Sequence, residues 1–174
     1  MYHLGIDIGT SSVKLAALDD REVVFTAYAH HGGSPRARLA RLLDDLDGRL
    51  GLAACAGWMA CGSRARELKA CTEEPDGERS RILLLEDVPA LVSGVRLLAP
   101  ETASIIEMGG QAAHYVTGLQ QAGAPRFAMN ESCAAGTGSF FEDQMERLGL
   151  RIEDYSALVE GARSVPSLDR KSVV

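Results

Sequence analysis

The chain has 174 residues, of which 46% are hydrophobic and 24% are charged. This composition is typical of a globular protein and argues against disorder. The net charge of −6 argues against a nucleic-acid partner, because phosphate backbones are bound by clustered lysines and arginines. No apolar run approaches the roughly 18 residues that a membrane-spanning helix needs, and the N-terminus lacks a basic-then-apolar signal pattern. We therefore expect a cytoplasmic protein with no membrane partner.

The first part of the chain predicts an open mixed sheet with helical cover, that is, an α/β fold. Alternating apolar and β-branched residues indicate strands at 2–8, 12–18 and 22–30, and their short connections favour an antiparallel meander. Pro35 suits the first turn of a helix, and Gly48 is near its expected end. The run LAACAGWMA has no polar alternation and therefore predicts a buried strand of parallel type.

The second part of the chain repeats the order of strand, glycine turn and strand. Residues 2–18 contain the first such unit and residues 102–119 the second, which suggests two related lobes divided near Pro100. We therefore expect a first lobe at 1–100 and a partial second lobe at 101–174. The other expected elements are helices at 89–98, 139–150 and 152–162, a strand at 125–130 and a surface loop at 72–80.

The turn in GIDIGTSSVK places an acid, glycines and hydroxyls between two strands that are expected to pair. Glycines and small residues leave successive backbone N–H groups open, and such groups form an anion-binding nest. The candidate phosphate-binding residues are Gly9, Thr10, Ser11, Ser12 and Lys14. Asp7 fits beside phosphate if it holds a Mg²⁺ ion through water. The alternative is a plain glycine hairpin that Asp7 caps, and the chain has no P-loop motif.

Three motifs together resemble a known superfamily. GIDIGTSSVK is similar to the first phosphate motif of the actin, sugar-kinase and heat-shock-70 ATPases, and IIEMGGQ to the second. NESCAAGTGSFFEDQMERLG is similar to the signature of the activators of 2-hydroxyacyl-CoA dehydratases and the ATPase subunits of benzoyl-CoA reductase. The resemblance covers nearly the whole chain. It implies actin-like, ribonuclease H-like lobes that bind ATP in their cleft, with the second lobe incomplete.

The resemblance also implies roles for residues of the second lobe. Glu107 takes the position of the acid of the second phosphate motif, so that Asp7 and Glu107 are the candidate catalytic residues. The further residues implied to contact the cofactor are Gly109, Gly110, Gln111, Gly136, Thr137 and Gly138. Cys133 corresponds to a ligand of a [4Fe–4S] cluster that two subunits of a homodimer share. ATP hydrolysis would drive an electron from this cluster to an acyl-CoA dehydratase or reductase component.

The chain departs from the pattern of that family at several positions. The best alignment places Lys171 where the second cluster cysteine stands, and an ammonium cannot replace a thiolate. The acid and the base expected after Gln111 are replaced by Ala112 and His114. Family members continue for about half a further lobe, so we expect a fragment or a naturally shortened relative. The alternative function is a degenerate actin-like nucleotide-binding or scaffold module without the cluster. A sugar or acetate kinase would leave CAAGTG unexplained.

The remaining conspicuous residues are expected to be structural or solvated. Cys55 and Trp58 lie in an apolar run and are assigned to the core. His30 and His31 are expected to be exposed loop residues. His114 is expected to be solvated on its hairpin.

Overall fold

A computed structural model describes residues 1–69, 82–110, 112–121, 123–129 and 137–164. Its first sheet has five strands in the order β3-β2-β1-β4-β5. The strands are β1 (Tyr2–Ile8), β2 (Ser12–Asp19), β3 (Glu22–His30), β4 (Cys55–Cys61) and β5 (Leu83–Leu84). The first three pair antiparallel, whereas β4 is parallel to β1 and β5 is parallel to β4. The predicted meander and the parallel strand are both confirmed.

Helix α1 (Pro35–Leu50) covers this sheet and connects β3 to β4. It begins at the predicted proline, whose fixed φ suits the first helical turn and whose missing N–H leaves no bond unmade. Leu39 and Leu46 are two helical turns apart and are buried in one core with alternate residues of β1 and β2. The strand residues of this core include Leu4, Ile6, Ile8, Val13 and Leu15.

The segment around β4 starts and ends with short helical turns. A 3₁₀ turn at Leu52–Ala54 precedes the strand, so β4 begins three residues later than the apolar run predicted. Trp58 and Cys55 are partly buried against the first core, in agreement with their assignment. Helix α2 (Arg66–Lys69) follows a tight turn after β4. The predicted loop at 72–80 lies outside the described residues.

The second sheet is antiparallel and has three strands in the order β6-β7-β8. They are β6 (Ser104–Met108), β7 (Ala113–Thr117) and β8 (Arg126–Met129). Helix α3 (Asp87–Leu98) packs against this sheet, and its Val92 shares a small core with Val116 and Leu119. The predicted hairpin and the following strand are confirmed at these positions.

Two helices follow the second sheet. Helix α4 (Gly138–Arg147) buries Met145, and helix α5 (Tyr155–Glu160) follows a 3₁₀ turn at Ile152–Asp154. The rings of Phe141 in α4 and Tyr155 in α5 contact each other edge to face, with centroids 5.4 Å apart. None of the helices in the described part of the chain is long and apolar enough to cross a bilayer.

Helix α3 connects the two sheets. The predicted boundary near Pro100 places it with the first lobe, yet its apolar residues belong to the core of the second sheet. Its first residue, Asp87, accepts a hydrogen bond from the Gly62 amide beside the first sheet, at 2.7 Å. The division into residues 1–100 and 101–174 stays a prediction, with α3 as the element that both sheets contact.

Candidate functional site

The first hairpin consists of β1, β2 and the glycine turn between them. The Gly9 amide donates to the Ser12 carbonyl across the turn, at 3.0 Å. Asp7 and Lys14 lie directly opposite each other on the paired strands, and side chains opposite one another lie on the same face. The Lys14 ammonium contacts Asp7 Oδ2 at 2.8 Å. Lys14 therefore neutralises this acid, and it would have to share that contact with a bound phosphate.

The second hairpin, made of β6, β7 and their turn, has the same construction. The Gly109 amide donates to the Ala112 carbonyl at 2.8 Å. Glu107 and His114 are directly opposite each other, and His114 Nδ1 lies 2.7 Å from Glu107 Oε2. The His114 side chain is only 11% exposed, so the expectation that it is solvated is wrong. The His114 imidazole and the Glu107 carboxylate therefore form a part-buried pair.

Both hairpins face one cavity of about 430 Å³. Binding pockets for small molecules typically measure roughly 300–1,000 Å³, so a nucleotide polyphosphate has room. The lining includes most of the predicted residues, namely Asp7, Gly9, Thr10, Ser11, Ser12, Lys14, Glu107, Gly109 and Gly110. A Cβ atom on Gly110 would lie 3.6 Å from Ser11 Oγ and 3.7 Å from Thr10 Cβ, so the two turns nearly touch.

A third turn at the end of β4 completes the cavity wall, and sequence reasoning did not assign it a role. Gly62 has φ +101°, and a Cβ atom there would lie 2.3 Å from the Ile8 carbonyl oxygen. Only glycine fits this position. Ser63 Oγ lies 3.4 Å from Thr10 Oγ1, which links this turn to the first hairpin. The predicted parallel strand could have identified this turn, because the carboxyl ends of neighbouring parallel strands meet at one edge of a sheet.

Cys61 lines the cavity beside this turn. Burial raises the pKa of its thiol to about 11, and the nearby Asp7 and Asp87 carboxylates add to the rise. The charge of Lys14 acts in the opposite direction. A thiol with such a pKa is protonated at neutral pH and is a poor nucleophile or metal ligand. Cys61 is therefore a neutral residue of the cavity wall.

His31 supports the phosphate turn from behind, and the expectation that it is exposed is wrong. Its side chain is buried because β3 continues to the edge of the turn, and the His31 amide donates to the Ser11 carbonyl at 3.0 Å. The Gly33 amide donates to His31 Nδ1 at 3.1 Å, so that nitrogen accepts and Nε2 carries the proton. Nε2 in turn donates to the Gly9 carbonyl at 3.3 Å. His30, by contrast, is exposed as predicted.

The start of α4 lies against the second hairpin. The Gly138 amide donates to the Gly109 carbonyl at 2.8 Å, and Thr137 Oγ1 donates to the Gly110 carbonyl at 3.0 Å. Ser139 also donates to that carbonyl through both its amide and its hydroxyl. These groups fix the turn, so Thr137 and Gly138 support the cavity wall from outside. The predicted site residues Gln111, Cys133 and Gly136, and also Lys171, lie outside the described residues.

The arrangement fits a nucleotide with a hydrated metal better than it fits a metal held by protein alone. The described ranges contain no group of three or more histidines, cysteines, aspartates or glutamates that could hold a metal ion. Mg²⁺ normally keeps several waters and takes only one or two carboxylates besides phosphate oxygens. Asp7 at the cavity wall supplies one such carboxylate.

Two hairpins that carry acids and face one cleft agree with the predicted actin-like fold. A solved structure, the activator of the 2-hydroxyisocaproyl-CoA dehydratase from Clostridium difficile with bound ADPNP, superposes with a TM-score of 0.76 over 97% of this chain, at 23% identity. This likeness confirms the predicted fold. The chain covers 60% of that structure, which agrees with an incomplete second lobe.

Two curated relatives are named as activators of acyl-CoA dehydratases. The activator of lactoyl-CoA dehydratase from Anaerotignum propionicum is 27% identical over 165 residues, which are 93% of this chain and 60% of the relative. The 2-hydroxyisocaproyl-CoA dehydratase activator from Clostridioides difficile is 24% identical over all of this chain and 62% of its own length. The chain thus spans about three fifths of the length of these relatives. No protein-family model matches it. The predicted resemblance to dehydratase activators is confirmed.

Proposed function

We propose that the chain binds Mg²⁺–ATP in the cleft between the two hairpins and hydrolyses it. The observation that carries the proposal is that Asp7 and Glu107, at equivalent positions of two equivalent hairpins, line the same cavity. Glycine-rich turns reach the cavity from both sides, as phosphate binding requires. The relatives are named dehydratase activators, and one of them is described as an activating ATPase.

In this proposal each hairpin has a separate task. Asp7 would hold the hydrated Mg²⁺ ion, which would offset the charge of the phosphates. The turn from Gly9 to Ser12 would cradle the phosphate oxygens, while the Gly9 amide itself closes the turn through the Ser12 carbonyl. Lys14 shares its charge between Asp7 and the nucleotide. On the opposite wall Glu107 orients the attacking water, next to Gly109 and Gly110. No covalent intermediate is needed, because positioning and charge stabilisation supply most of the catalysis of phosphoryl transfer.

We further propose that hydrolysis serves to activate an acyl-CoA dehydratase or reductase component by electron delivery. In this picture two copies of the chain form a homodimer that shares a [4Fe–4S] cluster, with Cys133 as one ligand. The residue aligned with the second ligand is Lys171, whose ammonium does not fit an iron site.

Calorimetric titration with Mg²⁺–ATP and with a non-hydrolysable analogue tests the first proposal. We expect saturable binding of both ligands and turnover of ATP alone, with binding weakened in Asp7→Asn. The control is His3→Ala, an exposed residue near the far end of β1. Absence of binding heat with folded protein would contradict the assignment of the cleft.

Anaerobic reconstitution with iron and sulfide separates the activator from the alternative module without a cluster. The activator predicts a brown protein whose iron content and dimer fraction both fall in Cys133→Ala. The alternative, which the Lys171 substitution favours, predicts nucleotide binding with no iron retained. Colour and iron content that are equal in Cys133→Ala and in the unmodified chain would remove Cys133 from the site.

A further inference from the structure

The second hairpin contains the pair of Glu107 and His114, and the proposed function gives His114 no task. We propose that His114 is a positioning residue that holds the Glu107 carboxylate in the orientation needed to direct the attacking water. This inference rests on the proposed ATP hydrolysis and extends it to a residue that was not among the candidate site residues. It was not foreseen from the sequence, because the pair forms across two strands.

The two oxygens of the Glu107 carboxylate have different surroundings. Oε2 lies 2.7 Å from Nδ1 of the His114 imidazole. Oε1 lies over Gly109, where an added Cβ atom would come within 3.0 Å of it. The carboxylate therefore folds back over its own turn, into space that exists because residue 109 has no side chain. With Oε2 engaged by His114, Oε1 is the oxygen through which Glu107 would orient water.

The burial of the two partners shows which residue anchors the other. His114 is 11% exposed at its side chain and Glu107 is 34% exposed. A side chain that is itself locked by packing can fix the orientation of a more accessible group to which it is hydrogen-bonded. The cost of leaving the imidazole without its partner keeps the pair closed. The first hairpin lacks this asymmetry, since Lys14 and Asp7 are 40% and 35% exposed.

The chemistry of the pair explains why the residue is a histidine. Nδ1–H can donate to Oε2 whether the ring is neutral or charged, and the ring is planar and rotates about few bonds. A lysine at this position would carry a fixed charge on a flexible stem. Because the imidazole contacts only one oxygen of the carboxylate, it orients the base without occupying the oxygen that meets water.

The test compares His114→Ala with His114→Asn, whose side-chain amide can place a donor near the position of Nδ1. We expect His114→Ala to lower kcat for ATP hydrolysis by roughly 10–100-fold, the usual cost of losing an orienting partner. KM and the Kd of a non-hydrolysable analogue should stay within about threefold of the unmodified chain. His114→Asn should recover most of kcat. His3→Ala serves as the matched control for loss of a histidine.

A second test combines His114→Ala with Glu107→Gln in one variant. If His114 acts through Glu107, adding His114→Ala to Glu107→Gln should lower kcat no further, because residues that act as a unit are not additive. Additive losses would overturn the inference, as would an unchanged kcat in His114→Ala, a loss confined to KM, or His114→Asn as slow as His114→Ala. If the unmodified chain hydrolyses no ATP, the proposed function fails and this inference fails with it. If the unmodified chain does hydrolyse ATP, the variants decide the inference alone.

Discussion

The two hairpins have nearly the same construction, but their acids have different partners. Each has a glycine turn closed by one amide–carbonyl bond, and each pairs an acid with the residue directly opposite. In the first, Asp7 faces a lysine that is accessible to solvent; in the second, Glu107 faces a histidine that is nearly buried. The difference suggests that the first acid is kept available to a cation and its phosphates, whereas the second is held rigid.

The hairpins are also held in place differently. The first is supported by Gly62 and by the His31 ring, which directly follow β4 and β3 of the first sheet. The second is supported by the start of α4, through Gly138 and Ser139. Each sheet has its own apolar core, and the turns meet at the cavity between them.

The largest expected effects come from neutralising the two acids. Glu107→Gln should lower kcat by roughly 10²–10³-fold with nucleotide affinity nearly kept, because an amide is a poor acceptor for the proton of the attacking water. Asp7→Asn should mainly weaken Mg²⁺–ATP binding, because the hydrated ion loses its carboxylate. Single-turnover hydrolysis and calorimetry distinguish the two results. Equal losses of affinity in both variants would show that the hairpins do not divide the work.

The supports of the two hairpins should differ in their tolerance of a methyl group. Gly62→Ala should destabilise the fold by about 3 kcal/mol, since it combines a positive φ with a Cβ contact of 2.3 Å. Gly138→Ala should cost less, because its tightest contact is 3.1 Å. Gly48→Ala in α1 meets no atom within 4 Å and should stabilise by about 0.5–1 kcal/mol. Urea unfolding midpoints measure all three, and an unchanged midpoint in Gly62→Ala would contradict the described turn.

Alanine at the first glycine of each turn gives a more selective comparison. In Gly109→Ala the new Cβ would lie 3.0 Å from Glu107 Oε1 and push the carboxylate aside, so kcat should fall by about tenfold or more. In Gly9→Ala the nearest atom is 3.6 Å away, an ordinary contact, so the effect should be smaller and appear in nucleotide affinity. Steady-state kinetics with ATP test the order. A larger loss of kcat in Gly9→Ala would show that Glu107 is not held as described.

The smallest expected effect concerns the thiol beside the first hairpin. Because the pKa of Cys61 is raised from 9.0 to about 11, the neutral thiol is favoured in the folded chain. Its contribution to stability is fully present below pH 9 and is lost as the pH rises through 11. Alkylation by iodoacetamide at pH 8 should be about tenfold slower in the folded than in the unfolded chain, since a more basic thiolate partly offsets its scarcity.

Peptide mass spectrometry follows the modification of Cys61 directly. Asp7→Asn should speed the reaction, because Asp7 is one of the carboxylates that raise the pKa. Equal rates in folded and unfolded protein would show that the thiol is not held in the cavity wall.

The sequence predicted the hairpins well because turn chemistry and strand alternation are local. Glycines between apolar runs indicated both turns, with small hydroxyl residues in the first, and Pro35 indicated the start of α1. The sequence did not predict the burial of residues whose neighbours in space belong to distant parts of the chain. His31 and His114 look like loop and surface residues in sequence, but a neighbouring turn and a neighbouring strand bury them.

The sequence by itself determined the strands, the glycine turns and the acids beside them, because these depend on neighbours a few residues apart. Only the tertiary structure decided that the Asp7 and Glu107 hairpins face one cavity, that Gly62 closes its wall, and that His114 holds Glu107. Those facts depend on the register between strands and on the packing of two sheets. The pattern of residues within one segment does not specify which distant segment packs against it.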